Sequence, residues 1–268
     1  MAQSPSLYSR ALGRRMTAAL KQRLLPGFIS NQQVYGNLLR RYVSPCVRWL
    51  DAGCGWRILG EDLEKLEDKL RDVSRQVVGV DLEMRSLRKH RNIADRVCAK
   101  LGTLPFADNS FDLVTCNMVV EHLTDPRAVF AELTRVLKPQ GVLIVHTPNS
   151  KGYAVAANRI LQKILPDRMR VKIARLAERR AASDFFPAFY RANSLPELRK
   201  LFSEFGLQTE QATTMAAPQP FFRFFAPLAL LEMFIMRATI ERFQDYGADI
   251  VMVGRLRETR ALLSRMAA

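Results

Sequence analysis

Short apolar runs alternate with stretches of helical spacing along this chain, and that alternation limits the fold more than any other feature. "VRWLD" (47–51), "VVGVD" (77–81), "VCAKL" (97–101), "FDLVTC" (111–116) and "GVLIVHT" (141–147) read as strands. "GLQTEQA" (206–212) and "DIVMVGRL" (249–256) add two candidates. Between them, "EDLEKLEDKLRDV" and "DPRAVFAELTRVL" repeat apolar residues at helical intervals. In the second, Asp125 suits the N-cap, Pro126 the first turn, and Gly141 follows the end. Strand and helix in turn imply an α/β fold: a doubly wound, mostly parallel sheet with helices on both faces. A chain of 268 residues fits one large domain, or one domain with an elaborate cover.

The formal charge of +15 is unevenly placed. Residues 1–50 carry eight Lys/Arg and no acid. Residues 51–150 carry 14 bases and 15 acids, and residues 151–200 carry 12 bases and four acids. The excess therefore flanks a neutral centre. Basic flanks attract phosphates, anionic lipid headgroups or acidic sugars; the plainer alternative is a soluble basic surface. We divide the chain into a basic N-terminal helical segment (1–45), a ligand-binding core (46–150), a basic helical insertion or lid (151–205), and C-terminal strands with a hydrophobic helical segment (206–268). The N-terminal segment reads as a basic amphipathic helix, with an organellar transit peptide as the alternative. In "PFFRFFAPLALLEMFIMRATIERF" (220–243) the densest run, Phe224 to Met236, already contains Glu232 and is too short to cross a bilayer. It suits a membrane interface, a core helix or a dimer contact. Four cysteines without a C-x-x-C pair, and three scattered histidines, predict neither a metal site nor a disulfide framework. A reducing, cytoplasmic setting follows, with the inner face of a membrane as a surface that such a chain would meet.

The first strand ends at Asp51, and "LDAGCG" (50–55) continues into a turn whose glycines let backbone approach a ligand. A dinucleotide fingerprint needs a third glycine where Ile58 stands, and no Gly-Lys-Ser/Thr follows for a phosphate loop. The second strand ends in Asp81, a carboxylate able to take both hydroxyls of a ribose. Glycine turn plus acidic strand end points to a nucleoside-containing ligand held without a pyrophosphate cradle. A tight turn followed by a helix-capping aspartate is the structural alternative.

"LDAGCG" (50–55), "VVGVD" (77–81), "LPFADNSFDLVTCNMVVEHLTDP" (104–126) and "RVLKPQGVLIVHTPN" (135–149) together resemble class I S-adenosylmethionine-dependent methyltransferases, in that family's order. The likeness is to the methyltransferase type 11 branch and covers about 100 residues. "HTPN", followed by "DFFPAFYRAN" (184–193), also resembles bacterial members thought to act on surface glycans or lipids. The resemblance implies S-adenosylmethionine as cofactor. It implies Asp51, Gly53, Cys54 and Gly55 at the methionine end, Asp81 on the ribose, Leu82 on the adenine, and Asn117 and Met118 near the sulfonium. An acid of the family that contacts the adenine amine is replaced by Lys100, which cannot accept a hydrogen bond. Either backbone near Leu101 takes that role or the register differs. Arg57 stands where the family often has glycine, and is expected to point away from the cofactor.

Methyl transfer from a sulfonium is an in-line displacement that mainly requires alignment in a dry pocket. A hydroxyl acceptor gains from a general base. Candidates are His122, Glu121 and His146; fixing the loop is the alternative role of His122. Asp184, Tyr190 and Arg191 fall in the expected lid, as substrate contacts or as loop packing. "NMVV" replaces the run that exocyclic-amine methylases carry after the fourth strand, and Pro45-Cys46 lies on the wrong side of the sheet order for cytosine C5 chemistry. A small-molecule, lipid, quinone-like or saccharide acceptor remains. RNA methylation using the basic flanks, and a catalytically silent protein that keeps the fold, are the competing readings.

Overall fold

A computed structural model describes residues 23–156, 187–217 and 226–258. Its elements, in chain order, are α1 (Asn31–Tyr42), β1 (Arg48–Ala52), α2 (Glu64–Val73), β2 (Gln76–Asp81), α3 (Met84–Lys89), β3 (Asp95–Cys98), β4 (Phe111–Asn117), α4 (Pro126–Val136), β5 (Leu137–Pro148), α5 (Leu195–Glu204), β6 (Leu207–Met215), α6 (Ala226–Glu241) and β7 (Asp249–Leu256). The strands form one seven-stranded sheet in the order β3-β2-β1-β4-β5-β7-β6. β1 to β5 run parallel, and β7 lies antiparallel between β5 and β6.

Both faces of the central strands are buried, which is why β1, β2, β4 and β5 read as near-continuous apolar runs. One apolar layer gathers Leu50, Val114, Phe130, Leu133, Leu198 and Phe202 under α4 and α5. The other gathers Tyr35, Leu39, Trp49, Leu66, Leu87 and Ile144 under α1, α2 and α3. Local chemistry fixes where helices start. Ser30 and Gln33 form a reciprocal capping box on α1. Asp125 accepts from the Ala128 amide, with Pro126 in the first turn, as expected for α4.

Two expectations shift. The third strand occupies 95–98 rather than 97–101, because Cys98 already pairs with Asp81 and the chain then turns, Thr103 N–H donating to the Lys100 carbonyl. Gly141 does not follow the end of a helix. α4 stops at Val136, Leu137 pairs with Phe111 at once, and Gly141 lies inside β5, in the irregular stretch before pairing resumes at Val142.

α6 is apolar on both sides but buried on only one. Met233 and Met236 pack with Leu25 and Ala216. Leu231, Phe234, Ile240 and Phe243 stay exposed, Phe234 to 57 %. No helix among the described residues is long and apolar enough to cross a membrane. Most of the expected N-terminal helix and of the 151–205 insertion, Asp184 included, lies outside the described residues.

Candidate active site

The chain leaves β1 for β2 and β3 on one side, then returns to β4 on the other. That reversal opens a crevice beyond the carboxyl ends of β1 and β4, where open α/β sheets bind ligands. The glycine turn leaves β1 at this point. Gly53 (φ +76°) and Gly55 (φ +54°) both adopt left-handed backbone. A Cβ on Gly53 would run into Val119, so the segment after β4 is packed directly on the turn. Above Gly55 there is open space within 4 Å, which leaves its backbone bare for a ligand.

Asp81, at the end of β2, accepts from Gly55 N–H (2.8 Å) through one oxygen and from Glu83 N–H (2.8 Å) through the other. The carboxylate is thus fixed beside the turn with lone pairs to spare. Leu82 is 66 % exposed and Met118 38 % exposed, two large apolar side chains left open at the ends of β2 and β4. A flat base over Leu82, a ribose on Asp81 and the methyl of a sulfonium near Met118 would cover what the fold leaves open. The residues therefore fit an adenosine-containing sulfonium.

Two of the expected contact residues, Asp51 and Cys54, have buried side chains. Asp51 is buried beneath the turn, where its carboxylate accepts from the Thr115 hydroxyl (2.7 Å), which in turn accepts from the Trp49 indole (2.7 Å). Burial pushes the Asp51 carboxyl up to about 7, and the negative charges of Glu67 and Asp81 add to this. Cys54 turns its thiol inward, against Gly79, and burial raises that thiol well above its ordinary range; its backbone alone belongs to the turn. Lys100 is exposed, and Leu101 is half-buried against the core beside it. Arg57 lays its guanidinium over Trp56, with Cζ 3.9 Å from the ring centroid. Its charge also contributes to holding His90 down at about 4, after burial and Arg96. The arginine thus reaches toward the connection that follows α3.

Beyond β4 a short turn, Val120–His122, buries Glu121 at 4 % exposure. Glu121 Oε2 accepts from the Thr147 hydroxyl (3.0 Å), and its Oε1 lies 3.8 Å from His122 Nε2. Burial raises the Glu121 carboxyl, partly offset by hydrogen bonds and the neighbouring histidines. His122 Nδ1 meets the Pro187 carbonyl at 2.9 Å. A carbonyl only accepts, so Nδ1 carries a proton and the Nε2 edge faces Glu121. Tyr190 and Arg191 come to the same place. Phe189 and Tyr190 N–H groups donate to the Glu121 carbonyl, and Arg191 donates to the Thr124 carbonyl (2.6 Å). Tyr190 takes a left-handed φ of 51° to do so.

His146 does not stand open to an acceptor. It is fully buried beneath α1, stacked on Tyr35 with ring centroids 5.4 Å apart. Its β5 neighbour Thr147 faces the opposite layer, where it joins Glu121 and Asn193. Thr147 and Asn193 escaped the sequence reading. Asn193 belongs to the "FYRAN" stretch and Thr147 to "HTPN", and the structure joins the two: Asn193 Nδ2 donates to Thr147 Oγ1 (2.6 Å), and Ser150 N–H to the Asn193 carbonyl (2.7 Å). Their shared appearance near the lid was the only signal available.

This strand order, with a glycine turn and an acidic strand end at the reversal, defines the class I S-adenosylmethionine-dependent methyltransferase fold. Residues 50–145 match the family model described as methyltransferase domain. It is 36 % identical over 138 residues to a probable S-adenosylmethionine-dependent methyltransferase of Mycolicibacterium smegmatis, covering 48 % of this chain and 50 % of that protein. It is 33 % identical to the ubiquinone biosynthesis O-methyltransferase of Neisseria meningitidis, covering 44 % and 53 %. The chain thus spans about half the length of these curated relatives. The YcgJ protein of Bacillus subtilis shares the fold, with a TM-score of 0.54 at 18 % identity over 85 % of this chain and all of that one.

Proposed function

We propose that the chain binds S-adenosylmethionine and transfers its methyl group to a hydroxyl of a small-molecule, lipid or saccharide acceptor at or near a membrane surface. The observation that carries this reading is the buried Glu121 carboxylate beside His122, two residues beyond the Val119 that packs on Gly53. S-adenosylmethionine, when bound, supplies an already activated methyl group. Gly53 and Gly55 give backbone access, Asp81 takes the ribose hydroxyls, and Leu82 and Met118 exclude water from the adenine and the sulfonium. Glu121 and His122 receive the acceptor's hydroxyl proton, at Nε2 of His122 with Glu121 stabilising the imidazolium. Because burial raises the Glu121 carboxyl, this stabilisation sets in only as that carboxyl loses its proton, above the ordinary glutamate range. Tyr190 and Arg191 close the acceptor side. The oxygen acceptor is supported by the likeness to a ubiquinone biosynthesis O-methyltransferase. The membrane setting is supported by the exposed apolar face of α6 and the basic flanks.

Titration calorimetry with S-adenosylmethionine tests the first half; no heat at millimolar ligand overturns it. Methyl-labelled S-adenosylmethionine, offered with membrane lipid extract, soluble metabolites or RNA, tests the second. Label in a lipid or metabolite hydroxyl is expected, and label in RNA overturns the acceptor assignment. With the unmethylated acceptor identified from that label as substrate, Glu121→Gln should lower the turnover rate by roughly 10- to 100-fold. It should also remove the rise in rate with pH that follows Glu121 deprotonation.

A further inference from the structure

Antiparallel pairing of β5 with β7 sets Pro148 opposite Asp249 and His146 opposite Val251, so Asp249 and His146 are diagonal neighbours on the layer beneath α1. His146 Nδ1 lies 2.8 Å from Asn117 Oδ1. Asn117 Nδ2 is committed to the Ile58 carbonyl (2.9 Å), which fixes the amide's orientation and assigns the histidine proton to Nδ1. His146 Nε2 has no hydrogen-bond partner, and Asp249 Oδ2 stands 3.5 Å away from it. The same Asp249 oxygen accepts from Asn31 of α1 at 2.5 Å. Gln32, the next residue of α1, reaches Asn117 at 3.5 Å. Asp249, His146, Asn117 and the Ile58 carbonyl thus form a line from the first turn of α1 to the loop that follows the glycine turn. A polar nitrogen left unpaired in a fully buried side chain is costly, and it sits at the one weak link of this line.

We propose that His146 is a positioning residue. It holds Asn117, and through it the 53–60 loop, in the place that receives the methionine end of the donor, while α1 supports the pair through Tyr35 and Gln32. The proposal rests on the S-adenosylmethionine reading of the site. His146 is sealed from solvent, so it acts through Asn117 and not on the acceptor.

Two-bond nitrogen–proton spectra of the full chain, labelled at histidine and assigned with His90→Gln and His122→Gln, read the imidazole directly. A protonated Nδ1 on His146 is expected, and its resonance should shift in Asn117→Ala. A proton on Nε2 alone overturns the proposal. Iodide quenching then reports the loop, because Trp56 is 43 % exposed and the only other tryptophan, Trp49, is buried. His146→Leu should change Trp56 quenching and weaken S-adenosylmethionine binding about tenfold in calorimetry. His146→Asn, which returns an amide N–H near the Nδ1 position, should stay within about twofold of the parent. Unchanged quenching and affinity in His146→Leu, or equal losses in His146→Asn and His146→Leu, overturn it. If His146→Leu does not fold, the comparison of His146→Asn and Asn117→Ala with the parent decides. If the parent itself binds no S-adenosylmethionine, the donor reading fails, while the nitrogen spectra and Trp56 quenching still judge the line of contacts.

Discussion

Asp51 is the residue whose environment departs furthest from its sequence reading. An ordinary aspartate ionises near 4; burial holds this one to about 7. Between those values the folded chain keeps a proton that the unfolded chain has lost. The unfolded state then binds fewer protons, so unfolding free energy falls as pH rises from about 4 to about 7, and levels off above. The loss is on the order of a few kcal/mol, and Asp51→Asn should flatten it in urea unfolding midpoints measured at pH 5 and pH 7.5. A cationic ligand beside the turn would favour the ionised form. S-adenosylmethionine binding near pH 6.5 should therefore release protons, visible as a buffer-dependent calorimetric heat that Asp51→Asn abolishes. Asp81 works at the surface instead, and Asp81→Ala should weaken donor binding by roughly 1–3 kcal/mol, as charge-assisted hydrogen bonds are lost. Unchanged affinity would refute its ribose role. Both aspartates were legible as strand-end acids. What each carboxylate is bonded to was not, because that depends on the strand face and on what packs there: Thr115 for one, the Gly55 amide for the other.

Among elements, the turn after β1 tolerates least. Gly53→Ala must place a methyl group where Val119 sits and keep φ at +76°. We expect a loss of roughly 1–3 kcal/mol of stability and a clear drop in donor affinity, measured by thermal unfolding with and without S-adenosylmethionine. Helix and strand identities were legible because apolar period and capping residues agree, as at Asp125 and Pro126. The end of α4 was misread because Gly141 looks like a helix stop, whereas pairing of Leu137 with Phe111 takes the chain into the sheet four residues sooner. For α6 the sequence offered interface, core or dimer, and the structure divides it, with Met233 inward and Phe234 outward. Phe234→Glu should reduce flotation with anionic vesicles and leave donor binding unchanged. Equal flotation would remove α6 from any membrane contact.

For the whole molecule, charge is the property that pattern and composition alone delivered, and its segregation into the flanks makes a salt test natural. Vesicle binding should weaken steadily between about 0.05 and 0.5 M salt, as the Debye length shrinks toward a few ångströms. A flat response would leave only the apolar face of α6 to account for binding. The polar contacts across layers were not legible. Asn31 with Asp249, Thr147 with Asn193 and His146 with Asn117 join residues far apart in the chain, and no local pattern marks such pairs. The placement of β7 between β5 and β6 carries a consequence for synthesis. As the ribosome extends the chain, β5 and β6 emerge first and cannot pair with each other in the final order. The apolar "VLIVHT" edge of β5 must wait, bare, for residues 249–256. An exposed apolar edge is a template for wrong pairing between chains. A nascent chain stalled before β7 is thus the form most prone to aggregate and the one that most needs a chaperone.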